Sequence, residues 1–144
     1  MEIGFASMSF VPIKAIARSG VIAIELMMAS YCGGMSIAYS QVGACHALSY
    51  GLSFVLGLRH GEGNAVAFNQ LDEFYPDGVR EFKKMMEIQG IELPTGVTRN
   101  LTDAQVNKMI EVSLSMDPLW ENCLGPNWKS EMTPERARGL YSKM

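Results

Sequence analysis

The sequence predicts an all-α fold, a helical bundle, and three observations carry that reading. No stretch alternates apolar and polar residues over the roughly 4–8 positions that a half-buried strand needs. Apolar residues recur at three- and four-residue spacing through most of the chain, and several of these stripes open on cap residues and close on glycine. The third observation is a gap: none of the 12 basic and 15 acidic residues falls in the 33 positions from Leu26 to Leu58. A segment buried on every side has no need of charge, so the gap reads as a buried helical hairpin. A length of 144 residues suits one domain with a real core, and 48% hydrophobic residues against 19% charged ones exclude a disordered tail or a collagen-like chain.

Taken in order, residues 1–20 are the hardest to assign. Residues 1–11 have no steady period, Pro12 interrupts them, and Ser19-Gly20 closes a segment, 13–18, that suits one or two helical turns. The chain therefore divides into an unassigned N-terminal segment, 1–20, and a single helical domain, 21–144. From Val21 a stripe of Ile24, Met27, Met28 and Tyr31 predicts a helix that ends or bends at Gly33-Gly34. A second apolar helix is expected from about Ile37 to Phe54, ending near Gly57, with small residues such as Gly33, Gly34, Gly43 and Ala44 letting backbones approach closely. Gly61 and Gly63 then mark a turn.

Beyond that turn, charges return at ordinary density. Asn64 is placed to cap a helix reaching Tyr75, and Pro76-Asp77-Gly78 reads as a turn or a helix start. Residues 79–89 set Val79, Phe82, Met85, Met86 and Ile88 against Arg80, Glu81, Lys83, Lys84 and Glu87, an amphipathic surface helix stopped by Gly90. Leu93-Pro94-Thr95-Gly96 is a loop. Thr102 with Gln105 three residues on is a capping box, and Val106, Met109, Ile110 and Leu114 supply that helix's core face. Thr133-Pro134 opens the last helix with proline at its first position. Trp120 and Trp128 are expected to pin the C-terminal helices to the core, and most of the 11 methionines to pack.

Several function classes are excluded by charge. The net charge is -3 and no basic cluster exceeds Lys83-Lys84, so there is no electrostatic footprint for nucleic acid or anionic lipid. Cys32, Cys45 and Cys123 are odd in number and without a CxxC, which fits neither a disulfide framework nor a zinc knuckle and suits a reducing, cytoplasmic setting. The charge-free window is long enough to cross a bilayer, but it holds five Ser, five Gly, Gln41, His46 and three tyrosines. No apolar run in it approaches the ~20 residues of a spanning helix, so no membrane partner is expected. No signal peptide is expected at the N-terminus, since an apolar h-region is missing there.

Two histidines exist, His46 inside the window and His60 just past its end. On one straight helix their fourteen-residue separation would hold them roughly 20 Å apart, so they can share a metal only if the chain folds back between them, as Gly51, Gly57 and the 58–63 turn allow. Taken by themselves they fit better a hydrogen-bonded core histidine, His46, and a turn residue, His60, than a metal pair. Cys45, about 100° round the helix from His46, reads as a small core residue. Arg59 and Glu62, in a turn, read as solvated.

The longer context adds a resemblance. Gly43-Ala44-Cys45-His46-Ala47-Leu48-Ser49-Tyr50-Gly51, followed by Gly57-Leu58-Arg59-His60-Gly61-Glu62-Gly63-Asn64-Ala65, resembles the metal-binding signature of the iron-containing alcohol dehydrogenases. That signature has a helical histidine and, fourteen residues on, a second one in a His-Gly-x-x-Asn-Ala run. The resemblance implies that His46 and His60 bind the catalytic metal, iron or zinc. Many members carry another cleft histidine four residues after the first ligand, where this chain has Tyr50; the resemblance makes Tyr50 the candidate catalytic residue that presents a hydroxyl to substrate. Phenol, with a reference pKa of about 10, relays protons at neutral pH less well than imidazole.

Ala29-Ser30-Tyr31-Cys32-Gly33-Gly34-Met35-Ser36-Ile37-Ala38, with Leu124-Gly125-Pro126-Asn127-Trp128-Lys129 and Thr133-Pro134-Glu135, looks most like the branch that oxidises the C8 hydroxyl of 3-deoxy-D-manno-octulosonate, a lipopolysaccharide sugar. The implied fold is the helical C-terminal domain of a dehydroquinate-synthase-like enzyme whose N-terminal α/β domain binds NAD(P). Of the family's four ligands the chain matches two, because no histidine precedes His46 to complete the upstream Asp and His pair. The expectation is a metal-bearing fragment, inactive alone, whose partners are a small alcohol or sugar acid and either the absent domain or a second copy. The competing expectation is a non-catalytic helical module that associates through an exposed apolar face.

Overall fold

A computed structural model describes the backbone of residues 20–144 and the side chains of residues 24–144. The unassigned segment and its expected turns at 13–18 lie outside the described residues. Eight helices and no strand occur among the described residues, so the fold is all-α. The helices are α1 (Gly20–Ser40), α2 (Ala44–Leu56), α3 (His60–Phe68), α4 (Pro76–Gln89), α5 (Asp103–Leu114), α6 (Asp117–Leu124), α7 (Trp128–Glu131) and α8 (Pro134–Tyr141). The chain forms two compact units that divide between Gln41 and Val42.

The described part of the first unit is α1. It does not stop or bend into a new element at Gly33-Gly34 but runs through both glycines to Ser40. Glycine inside a helix costs only about 1 kcal/mol relative to alanine, so the pair does not by itself end the helix. Its end comes instead at Gln41, whose φ of 57° is left-handed and whose N–H donates to the Ile37 carbonyl at 2.8 Å. The stripe expected to face a core is exposed: Met27 is 71% accessible, and Ile24, Met28 and Tyr31 are exposed as well. A Cβ on Gly34 would meet nothing within 4 Å, so this glycine serves no close approach. The reading of the whole window as packed on all sides is thus corrected for its first half. Among the described residues no helix is long and apolar enough to cross a membrane.

In the second unit α2 starts at Ala44, later than expected, because the left-handed Gln41 has ended α1 and Gly43 has to fit against the Tyr75 hydroxyl, 3.0 Å from where a Cβ would stand. Gly57 terminates α2 in the left-handed region (φ 69°), its N–H on the Ser53 carbonyl. The chain then turns through Leu58 and Arg59 into α3. That helix begins at His60 rather than after Asn64 and ends at Phe68, short of Tyr75, so Asn64 is an interior residue and not a cap.

The C-terminal elements follow the sequence more closely. Pro76 opens α4 and Gly90, at φ 60°, closes it. Both bonds of the Thr102–Gln105 capping box form at the start of α5, and Thr133 caps α8 ahead of Pro134. Ala44, Ala47, Leu48 and Leu52 from α2 are fully buried in one core with Leu71, Val79, Met109, Trp120, Met132, Tyr141 and Met144. Trp120 donates its indole N–H to the Ser113 carbonyl at 2.8 Å and stacks on Trp128 with ring centres 6.1 Å apart, as the two tryptophans were expected to do. The chain approaches closely at Gly51, where a Cβ would lie 2.2 Å from the Tyr141 hydroxyl and 2.7 Å from the Met109 carbonyl oxygen. Tyr141 uses that proximity to donate to the Leu48 carbonyl at 2.9 Å, fastening α2 to the C-terminal end of the chain.

Candidate metal centre

Because Tyr50 lies four residues after His46 on α2, the two rings share a helical face. The α2–α3 turn does the rest. Gly57 reverses the chain and α3 packs back on α2, with Gly63 at the contact: a Cβ there would stand 3.1 Å from Ser53 Oγ and 3.5 Å from the Ser49 carbonyl oxygen. His60, the first residue of α3, is delivered beside His46. The two ring centres are 5.2 Å apart with planes tilted by 57°. Tyr50 completes a three-ring cluster, with centres 6.4 Å from His46 and 6.0 Å from His60.

That spacing can be compared with what one metal ion requires. An imidazole nitrogen sits ~2.1 Å from a zinc-like ion, which puts the ring centre a little over 3 Å away, and two such rings at a tetrahedral angle have centres roughly 5 Å apart. The histidine pair fits two positions of such a ligand set. Among the described residues no three or more His, Cys, Asp or Glu side chains gather to hold a metal.

The two histidines occupy different environments. His46 is 7% exposed, and burial, followed by the proximity of His60, lowers its pKa from 6.5 to about 4. It is therefore neutral at pH 7. His60 is on the surface side of the pair, as is Tyr50, 38% exposed. Asn64, one turn along α3 and buried, places its amide Nδ2 3.0 Å from His60 Nε2. Cys45 approaches the same residue from α2, its Sγ donating to the Asn64 carbonyl at 3.3 Å, and burial pushes its thiol pKa up to about 12. Cys45 is the inert packing residue that its position on α2 suggests. Arg59 is exposed, in keeping with the solvated reading, and Glu62 is half-buried.

Sequence reasoning brought out both histidines and Tyr50, and the structure places all three together. It missed Asn64, taken there for a helix cap. The signal was present, since Asn64 follows His60 by four residues, and on a helix that spacing puts the two side chains on one face. Residues 19–119 of the chain match the family described as "Fe-containing alcohol dehydrogenase family, C-terminal".

Proposed function

The chain belongs to the Fe-containing alcohol dehydrogenase family, and from that premise we propose that it is the metal-bearing helical part of an alcohol-oxidising enzyme in which His46 and His60 are two of the metal's ligands. Family membership makes the activity class that of an alcohol dehydrogenase-type oxidoreductase. The observation that carries the residue assignment is the 5.2 Å approach of two rings fourteen residues apart.

A divalent ion bound by the pair, iron or zinc, would supply Lewis acidity that lowers the pKa of a substrate alcohol and favours hydride loss to a nicotinamide. The residues of this chain have complementary tasks. His46, neutral because it is buried, offers a nitrogen lone pair without first having to lose a proton. His60 stands at the accessible edge of the pair. Tyr50, against both rings, presents a hydroxyl that can donate to or accept from a substrate oxygen. The two further ligands and the NAD(P) site come from outside the described residues, in this reading from an α/β domain and an Asp and His one helical turn apart. A sugar acid oxidised at a terminal hydroxyl, such as C8 of 3-deoxy-D-manno-octulosonate, is the proposed substrate, supported by the segments around Gly33-Gly34, Pro126 and Pro134. Three free cysteines suit a cytoplasmic setting.

A second reading, a non-catalytic module that associates through an apolar surface, is favoured by the exposed Ile24, Met27, Met28, Tyr31 and Tyr39 of α1. The two readings separate in one assay of alcohol-dependent NAD(P) reduction by the iron-loaded chain, alone and mixed with the α/β domain of a family member. The enzyme reading expects no turnover alone, turnover on mixing, and its loss in both His46→Ala and His60→Ala. Complemented turnover that survives either substitution contradicts the ligand assignment. A mixture that binds but never turns over favours the module.

A further inference from the structure

Asn64 is 5% exposed and bridges two helices: its side chain meets His60 on α3, and Cys45 of α2 reaches its backbone and side-chain oxygens. A carboxamide has one donor end and one acceptor end, and its neighbours decide which way it points. Here the Cys45 Sγ lies 3.7 Å from Oδ1, so the oxygen faces a thiol donor and the NH2 faces His60 Nε2 at 3.0 Å. An amide N–H can only donate, so the ring nitrogen it meets has to be an acceptor.

We infer that Asn64 is the positioning residue of His60, its amide donating to Nε2 and thereby holding the neutral ring with its proton on Nδ1. A solvated neutral imidazole favours the opposite tautomer, with the proton on Nε2. Asn64 therefore selects the form whose Nε2 carries the lone pair. This consequence rests on the reading of His60 as a ligand: a metal held by His60 would meet a ring whose Nε2 already carries a lone pair and no proton. Setting the protonation of a ligand's other nitrogen is a known lever on metal affinity. In this chain it would be exercised by a residue of the same helix, four positions on.

The test uses the two-histidine composition, because a 15N-histidine-labelled chain contains two imidazoles. Long-range 1H–15N correlation spectra of the metal-free protein, at mildly alkaline pH, report directly which nitrogen of each ring carries the proton. The expected result is Nδ1–H for His60 in the wild type, a shift towards Nε2–H in Asn64→Leu, and a full reversal to Nε2–H in Asn64→Asp, whose carboxylate only accepts. The His46 resonances should hold their position throughout, which a general loss of structure would not allow. An Nε2–H tautomer in the wild type overturns the inference whether or not the variants fold, and so does an Nδ1–H tautomer that persists in Asn64→Leu. Zinc added to the wild type should then move His60 Nε2 and the Asn64 side-chain NH2 signals together. If zinc moves neither while the tautomer pattern holds, the metal-ligand reading fails and the role of Asn64 in setting the ring stands.

Discussion

Helices α1 and α2 are cut from the same charge-free window, yet they end in opposite environments. On α2, Ala44, Ala47, Leu48 and Leu52 have no exposed surface, whereas on α1 Ile24, Met27, Met28 and Tyr31 are each more than half exposed. Lack of charge permits burial without causing it. What fixes α2 is local fit: Gly51 admits the Tyr141 hydroxyl, Gly63 admits Ser53, and Gly43 admits Tyr75. On α1, Gly34 has nothing to admit. The contrast also accounts for the three-ring cluster, since a helix held this tightly can keep His46 and Tyr50 in register against His60.

Substitutions should break the two regions unequally. The largest effect is expected at Trp120, fully buried with its N–H on Ser113: Trp120→Ala should cost about 3–5 kcal/mol in urea unfolding. Gly51→Ala comes next, at roughly 1–3 kcal/mol, because the new methyl would collide with the Tyr141 hydroxyl and a backbone carbonyl. The same change at Gly34 should have the opposite sign, strengthening α1 by up to about 1 kcal/mol in helical content measured by circular dichroism. If Gly51→Ala and Gly34→Ala behave alike, close fit is not what separates the helices.

A smaller effect follows from pH. The folded chain holds His46 at about 4 against an ordinary 6.5, so between those values the unfolded chain binds a proton that the folded one refuses. Stability of the metal-free protein should be fully present above pH 6.5 and fall as the pH drops towards 4. His46→Gln should flatten that part of the profile, and an unchanged slope would show that His46 is not buried as a neutral ring. The smallest effect is expected at Met27, 71% exposed: Met27→Ala should change stability by less than about 0.5 kcal/mol. A larger loss would mean that α1 is covered in solution.

The elements that could be read from sequence are those with local chemistry. Thr102 with Gln105, Thr133 with Pro134, and the left-handed Gly90 each fix a helix end through nearest neighbours, and all three stand where expected. The boundaries around the window were not legible for the same reason. Glycines 33 and 34 look like a stop but cost little inside a helix, while the actual stop is Gln41, a residue with no particular preference for a left-handed backbone. At the site, the resemblance of the surrounding segments to a metal-binding signature singled out His46 and His60, but their fourteen-residue spacing by itself could not say whether they meet. That depends on Gly57 and on how closely α3 lies against α2, which is tertiary information. Asn64 was misjudged because cap and interior positions differ only by where the helix begins, and α3 begins five residues earlier than a cap at Asn64 would place it.

The claim on which the account turns is that His46 and His60 act as one half-site. A competition titration of zinc against a chromophoric chelator, run on the wild type, His46→Ala, His60→Ala and the double variant, tests it directly. One site shared by both rings predicts at least a tenfold loss of affinity in each single variant and little further loss in the double one. Losses that simply add, or a single variant that binds zinc as the wild type does, would contradict it.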